Sequence, residues 1–508
     1  MKHHLDNLDV AIASGASRYP ENPPFNPPEE YPESPFPGPI HPDNHVYSMV
    51  RECLRLLQLD ESNYGRPEWN PLGTLISPGQ RVLIKPNFVL HFNAGGGPLT
   101  AVVTHPSIIR AIVDYVVIAL HGSGSILVGD SPQMNCDFQE LNESLGMNRV
   151  AEYLQPLCAA RGIEFGVVDF RDEQAYYKYG IVWNRQRLPN GAPAVRVGLG
   201  TESFMEPIDN TRLYGADYDR SQTVQAHATG RHEYIIASAV LSSDVVISVP
   251  KLKVHRKVGT TLNLKNMVGI NCDKNHLAHY RVGSPATGGD EFSNPGWDDR
   301  AERRLSDVLL GNGVWPGKYG FLAWKAFRKV FRAAKTKKIE SAFAFGNWHG
   351  NDTAWRMVLD LNRILMFADR YGKIGSAPQR KYFSLIDGVI GGEGEGPLHP
   401  DAYPSGVVLA GFNPVAVDWI ATRLMGFEPA EIPLYKNAVR QMSQWLPDFT
   451  IEHCKVRTEA SQFEDIVNEQ GVAMKFRAPA GWRGRIERYP IDTREFDSTS
   501  LSINMLSQ

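Results

Sequence analysis

Between Pro250 and Arg281 the chain reads PKLKVHRKVGTTLNLKNMVGINCDKNHLAHYR, with seven cations against a single carboxylate, Asp273. The cations are Lys251, Lys253, Arg256, Lys257, Lys265, Lys274 and Arg281, and His255, His276 and His279 lie among them. The formal net charge of the whole chain is −3, so this positive charge is local. Lysines crowded at the end of an apolar run repel one another unless an anion lies between them. Phosphate or carboxylate is the natural counter-ion, with each lysine acting as a point charge. The run therefore points to an anionic small molecule.

Lys85, directly after the apolar run RVLI, repeats the pattern, and Asn87 follows it. We read Lys85, Asn87, Lys251, Lys253, Lys265 and Asn266 as the anion-binding set. Asp130, at the end of SILVGD, is the best placed single carboxylate for a general base, with His255 and His105 as further acid–base candidates. A histidine among lysines should have a lowered pKa and be neutral near pH 7. His276 and His279, three residues apart, are expected to be structural. The stretch DGVIGGEGEGP from Asp387 to Pro397 reads as a glycine-rich loop. Its Asp387, Glu393 and Glu395 would suit Mg2+ or Mn2+, or would balance the lysines. No Walker or EF-hand pattern is present. In GNWHGNDTAWR, Asp352, Arg356 and Asp360 fall at helical spacing, either as a substrate clamp or as a salt-bridge ladder.

The elements that must position these groups follow from alternating signals. RVLI, SILVGD, EFGVVDF, DVVISV, YFSLIDG and GVVLAG read as buried strands. HPSIIRAIVDYVVIALHG, with Pro106 in its first turn, reads as a helix, as do residues 148–160. A further helix opens at Asn413-Pro414 and stops at Gly426. The alternation predicts an α/β fold with a mostly parallel sheet flanked by helices. Five strand-like runs end in polar clusters: Lys85-Pro86-Asn87, Gly129-Asp130-Ser131, Pro250 to His255, Asp387-Gly388 and Gly411 to Pro414. Parallel strands would gather all five along one edge, where ligands bind in open α/β sheets.

Residues 1–44, dense in proline from Tyr19 to Pro42, form an extended or disordered arm, and folding proper is expected to begin near His45. Residues 45–430 make the core, with insertions near 176–231 and 285–345, and residues 431–508 form an extension packed upon it. Within the second insertion, GKYGFLAWKAFRKVFRAAKTKK reads as a basic amphipathic helix. It either docks on the core or touches a membrane surface through 317–338.

Composition narrows the function classes. An apolar fraction of 42% and a charged fraction of 21% fit a globular protein. Near-neutral charge argues against nucleic-acid binding. No apolar run is long enough for a transmembrane helix, and no secretory signal core is seen. Five scattered cysteines predict reduced thiols and a cytoplasmic location.

Together the motifs resemble the DUF362 family. They are Lys85-Pro86-Asn87, Thr104-His105-Pro106, Gly129 to Pro132, Pro250 to Lys253 with His255, Leu262 to Asn266 with Gly269, Asp387-Gly388 with Gly394 to Pro397, and Asn413 to Asp418. Short family forms often carry a cysteine-rich, ferredoxin-like segment that binds iron–sulfur clusters. This chain has no such run, so no iron–sulfur cluster is expected. The resemblance implies fold and site rather than one activity.

The leading expectation is a metal-assisted enzyme, of transferase or ligase type, acting on a phosphorylated or carboxylated metabolite. A non-catalytic anion or cofactor carrier is the alternative, and peripheral membrane work on a lipid-linked saccharide is a third. A nicotinamide dehydrogenase fits least, because the glycines of HGSGSILVGD precede a strand instead of following one.

Overall fold

The computed structural model describes residues 4–178, 181–188, 193–216, 220–293, 344–445, 449–467 and 474–490. All six apolar runs expected as strands lie in one 11-stranded sheet. Its strands are β1 (Asp9–Ser14), β2 (Arg81–Pro86), β3 (Gly124–Asp130), β4 (Ile163–Asp169), β5 (Val245–Val249) and β6 (Lys251–His255). They continue with β7 (Gly259–Thr261), β8 (Lys381–Glu395), β9 (His399–Tyr403), β10 (Val407–Gly411) and β11 (Lys455–Arg457). The central order β8-β5-β2-β3-β4 is parallel throughout. β5 is buried at all five positions, which is why its sequence is an unbroken apolar run.

Successive residues on these strands enter opposite cores, as the two-residue period of a strand requires. Val82, Ile84, Val245 and Ile247 pack in one core with helices α1 (His45–Leu56), α2 (Pro106–Leu120) and α3 (Met147–Ala159). Leu83 and Val246 pack in the other with α4 (Ala354–Phe367), α5 (Pro414–Leu424) and α6 (Pro433–Trp445). The architecture is α/β, with a mixed, mostly parallel sheet flanked by helices.

Two helix starts are fixed as the sequence suggests. The His105 side chain accepts from Ser107 N ahead of Pro106. Asn413 Oδ1 accepts from Val415 N and Ala416 N ahead of Pro414.

Three expectations are corrected. β1 precedes the point at which folding was expected to start, and it lies inside the sheet between β10 and β11. Its six residues stand alone between Asn7 and Gly15, outside the strand–helix alternation, and pairing with the distant β10 holds them in the sheet. β10 runs antiparallel to β8, with Ser384 opposite Gly411 and Asp387 opposite Val408. The Gly411 to Pro414 cluster therefore lies at the opposite edge from the other four. Finally, the expected glycine-rich loop is strand: β8 continues to Glu395 and pairs antiparallel with β9. The glycines serve close packing, since a Cβ on Gly392 would lie 2.6 Å from the Ala101 carbonyl oxygen.

Within the first insertion, strands 173–178 and 181–187 form a hairpin, and Ala194–Gly198 pairs with Glu233–Ala237. The basic amphipathic segment 317–340 lies outside the described residues.

Candidate anion site at the sheet edge

Neighbouring parallel strands β2 and β3 end in Lys85 and Asp130, so the two side chains emerge together. Lys85 Nζ stands 2.7 Å from Asp130 Oδ1, and both residues are buried. Lys85 Nζ also donates to the Pro86 carbonyl at 2.8 Å and to Asn266 Oδ1 at 3.2 Å. Asp130 accepts from Phe88 N at 2.6 Å and Ser131 N at 2.7 Å. Burial pushes Lys85 down and Asp130 up, and their mutual attraction opposes both shifts. Gly269 closes the pair: a Cβ there would lie 2.0 Å from Asp130 Oδ1 and 2.7 Å from Lys85 Nζ. With both oxygens accepting hydrogen bonds, Asp130 positions Lys85 and has little lone-pair capacity left for a general base.

A second buried pair forms where β6 runs beside β8, with Lys251 in register with Asp387. Lys251 Nζ lies 3.1 Å from Asp387 Oδ2, and both side chains are fully buried. Asp387 also accepts from Tyr19 OH at 2.6 Å and from His105 N at 2.9 Å. The Tyr19 hydroxyl sits 2.5 Å from Lys251 Nζ, and its ring stacks on His105 at 4.1 Å between centroids. The Pro-rich segment thus delivers a side chain into the sheet edge. Burial, then the nearby Asp387 carboxylate, raise the Tyr19 pKa. Burial and the Lys251 charge lower His105 to about 3. His105 is a neutral imidazole that caps α2 and packs against Tyr19.

Among the described residues the remaining lysines, Lys253, Lys257, Lys265 and Lys274, have no carboxylate partner, whereas Arg256 pairs with Glu395 and Arg281 with Asp290 and Asp352. Lys253, fully buried, donates to the carbonyls of Val102 at 2.5 Å and Pro397 at 3.3 Å. Its pKa falls far below the usual lysine value through burial and the charges of Lys265 and Lys251. Lys257 meets the Phe345 carbonyl, and Lys274 donates to Ser131 O and Oγ, each at 2.8 Å. No hydrogen bond or ion pair holds Lys265 Nζ among the described residues. Burial of its ammonium and the charges of Lys274 and Lys85 push it down to about 7. Lys257 likewise falls to about 7, and Lys274 to about 8, chiefly through burial.

His255 Nδ1 accepts from Lys257 N at 3.1 Å. Burial, then Lys265, His279, Lys253 and Lys257, hold the His255 ring neutral. Among the described residues, Thr261 Oγ1 and Asn87 Oδ1 are buried polar atoms of this region without a hydrogen-bond partner. Thr261 Oγ1 belongs to a residue paired across strands with Lys253, and Asn87 Oδ1 follows β2. Cross-strand partners project to the same face of a sheet, so Thr261 and Lys253 share one side.

The acids expected to hold a metal ion are committed elsewhere. Glu393 accepts from Arg477 N at 2.9 Å; Glu395 pairs with Arg256 Nε at 2.8 Å and accepts from Ala480 N at 2.8 Å. They anchor the C-terminal segment, while Asp387 belongs to Lys251 and Tyr19. Among the described residues no three His, Cys, Asp or Glu side chains come together as a metal-ligating group. Asp387, Glu393 and Glu395 as arranged therefore do not fit a divalent ion. Asp352 and Arg356 form a ladder with Arg281, whereas Asp360 accepts instead from Ser203 Oγ and Tyr234 OH.

Four of the five strand-end clusters thus contribute to one region. Lys85, Asp130 and Asn266 form one part, and Lys251, Asp387 and His105 a second. Lys253, Lys265 and His255 form the third, together with Lys257, Lys274 and His279. Tyr19 is the residue sequence reasoning missed, since its position in a proline-rich segment gives no sign of a partner at residue 387.

A comparison with curated proteins finds thylakoid-associated protein sll1697 of Synechocystis sp. (strain ATCC 27184 / PCC 6803 / Kazusa). It is 22% identical over 372 residues, covering 71% of this chain and 68% of that protein. No solved structure matches the chain. The family model described as domain of unknown function (DUF362) matches residues 82–178 and 194–423, which include Lys85, Asp130, Lys251, Lys265 and Asp387. The chain belongs to the DUF362 family.

Proposed function

We propose that the protein binds an anionic small molecule, phosphorylated or carboxylated, among Lys253, Lys265 and Lys274, and acts on it as an enzyme. The observation that supports this most is the absence of a carboxylate partner for these buried or half-buried lysines among the described residues. Burying several cations together costs several kcal/mol each by general estimates unless an anion compensates. Lys85 and Lys251, each neutralised by its own carboxylate, flank the site, so its uncompensated positive charge comes from Lys253, Lys265 and Lys274. Preorganised cations of this kind stabilise negative charge developing on a substrate. Magnesium or manganese enters the proposal only as a companion of a polyanionic ligand.

The carrier reading is supported by a different observation: Asp387 accepts from four donors and Asp130 from three, which leaves little free carboxylate capacity beside the lysines among the described residues. Proton transfer by a lysine near neutrality separates an enzyme from a carrier.

The cytoplasm is the proposed location, and all five cysteines are free and buried. No described helix is long and apolar enough to cross a membrane. The name of the cyanobacterial relative places that protein at a thylakoid, and peripheral contact through 317–338 would be the corresponding proposal here.

Thermal unfolding in matched ionic strength tests the site. Phosphate, pyrophosphate or citrate is expected to raise Tm beyond chloride, by mass action on the folded state. The increment should shrink strongly in Lys253→Met and persist in a variant of the exposed Lys455. No anion-specific shift in the wild type, or an equal shift in Lys253→Met, would count against the proposal.

A further inference from the structure

Lys265 differs from every other lysine of the cluster. Lys85 and Lys251 are tied to carboxylates, and Lys253, Lys257 and Lys274 donate to neutral oxygens. Lys265 Nζ alone among these six has no acceptor among the described residues, and its side chain stays partly open to solvent while Asn266 and Leu264 beside it are buried. Its turn, Asn263–Asn266, is fixed from below. Asp418 accepts from Asn263 N and Leu264 N, each at 2.9 Å, and Asn266 bonds to Lys85 and Ser248. A rigid base therefore presents an unengaged amine to a field made by Lys274, Lys85 and Lys253.

A lysine that is desolvated and beside other cations is the environment that turns an ammonium into a free-amine nucleophile. We propose that Lys265 is a covalent-catalytic lysine that captures an anionic carbonyl compound, a phosphorylated aldehyde or a 2-oxo acid, as an imine. The assignment rests on the anion site proposed above and names its substrate class. The Lys265 nitrogen bonds to the carbonyl carbon, and the carbonyl oxygen departs as water carrying both amine hydrogens. No oxidant or reductant is needed. The neighbouring lysines hold the phosphate or carboxylate of the substrate. A pKa of about 7 for Lys265 makes a large fraction of the free amine available at neutral pH.

Borohydride trapping on the full-length protein tests this, with peptide mass spectrometry to locate the adduct. The probes are pyridoxal 5′-phosphate at stoichiometric concentration, pyridoxal without the phosphate, and pyruvate. The expected result is one reduced adduct on Lys265 with the phosphorylated probe, at least ten times the yield from pyridoxal, and competition by pyrophosphate. Pyruvate trapping at Lys265 would identify carboxylate as the anion; its failure beside success of the phosphorylated probe would identify phosphate. Lys265→Arg, which keeps a cation at the position, should abolish the adduct, while Lys455→Arg should leave it intact. Adducts scattered over exposed lysines, or on Lys257 in place of Lys265, would overturn the assignment. The thermal shift with pyrophosphate reads the anion site separately: a normal shift without a Lys265 adduct removes the imine and keeps the site. A protein with neither loses both.

Discussion

Replacing Asp387 by alanine is expected to destabilise the protein by about 3–5 kcal/mol, the cost of leaving a buried charge without its partner. Lys251 and Asp387 are both fully buried, and the carboxylate also holds the Tyr19 hydroxyl and the His105 amide. Its loss strands four donors at once, since Val389 N also donates to it. The double variant Lys251→Met/Asp387→Leu removes both charges and should recover most of the stability, because an apolar pair of similar volume is often as stable as a buried ion pair. Urea unfolding of the two variants provides the check. A loss below about 1 kcal/mol in Asp387→Ala, the level of an exposed ion pair, would show that the pair is solvated instead of buried.

The second large effect is on proton binding. Lys257 and Lys265 titrate near 7 and Lys274 near 8, all lowered chiefly by burial, against roughly 10.4 for an unperturbed lysine. Between these values the unfolded chain binds more protons than the folded one, so stability of the ligand-free protein rises with pH. His105, at about 3, His279, at about 3, and His255 act in the same direction below pH 6.5. The lysine gain runs on toward roughly pH 10.4, but above about pH 8.5, where unperturbed thiols ionise, it is opposed. There the buried cysteines, Cys136 and Cys272 among them at about 12, pull stability down because the folded state holds their protons, so the rise should flatten.

An anion bound among the lysines reverses their shifts. It raises their pKa values, so binding near pH 8 takes up protons and affinity falls as pH rises further. Calorimetric titration of pyrophosphate in buffers of different ionisation enthalpy should show uptake of about one proton or more, the number set by lysines neutral before binding. Proton release on binding would contradict the lysine assignment.

Much of the sheet was legible because its central strands are covered on both faces, which forces continuous apolar runs such as Val245–Val249. Lys85, Asp130 and Asp387 were legible for the complementary reason: a charge at the end of such a run stands out. Strand direction was not. Nothing local in GVVLAG distinguishes the antiparallel β10 from its parallel neighbours, so the Asn413 cluster was placed at the wrong edge.

The acids mark a second boundary. Glu393 and Glu395 look like free ligands in a glycine-rich stretch, but their partners lie at 477, 256 and 480. Tyr19 meets Asp387 across 368 residues. Such pairings are fixed by the packing of distant segments, and no periodicity records them.

The most direct measurement is a crystal structure with tungstate, a phosphate-like anion visible by its anomalous scattering. Density within hydrogen-bonding distance of Lys265 Nζ, beside Lys253 or Lys274, is the predicted result. Tungstate bound only at exposed arginines and lysines, with these side chains unchanged, would contradict the account.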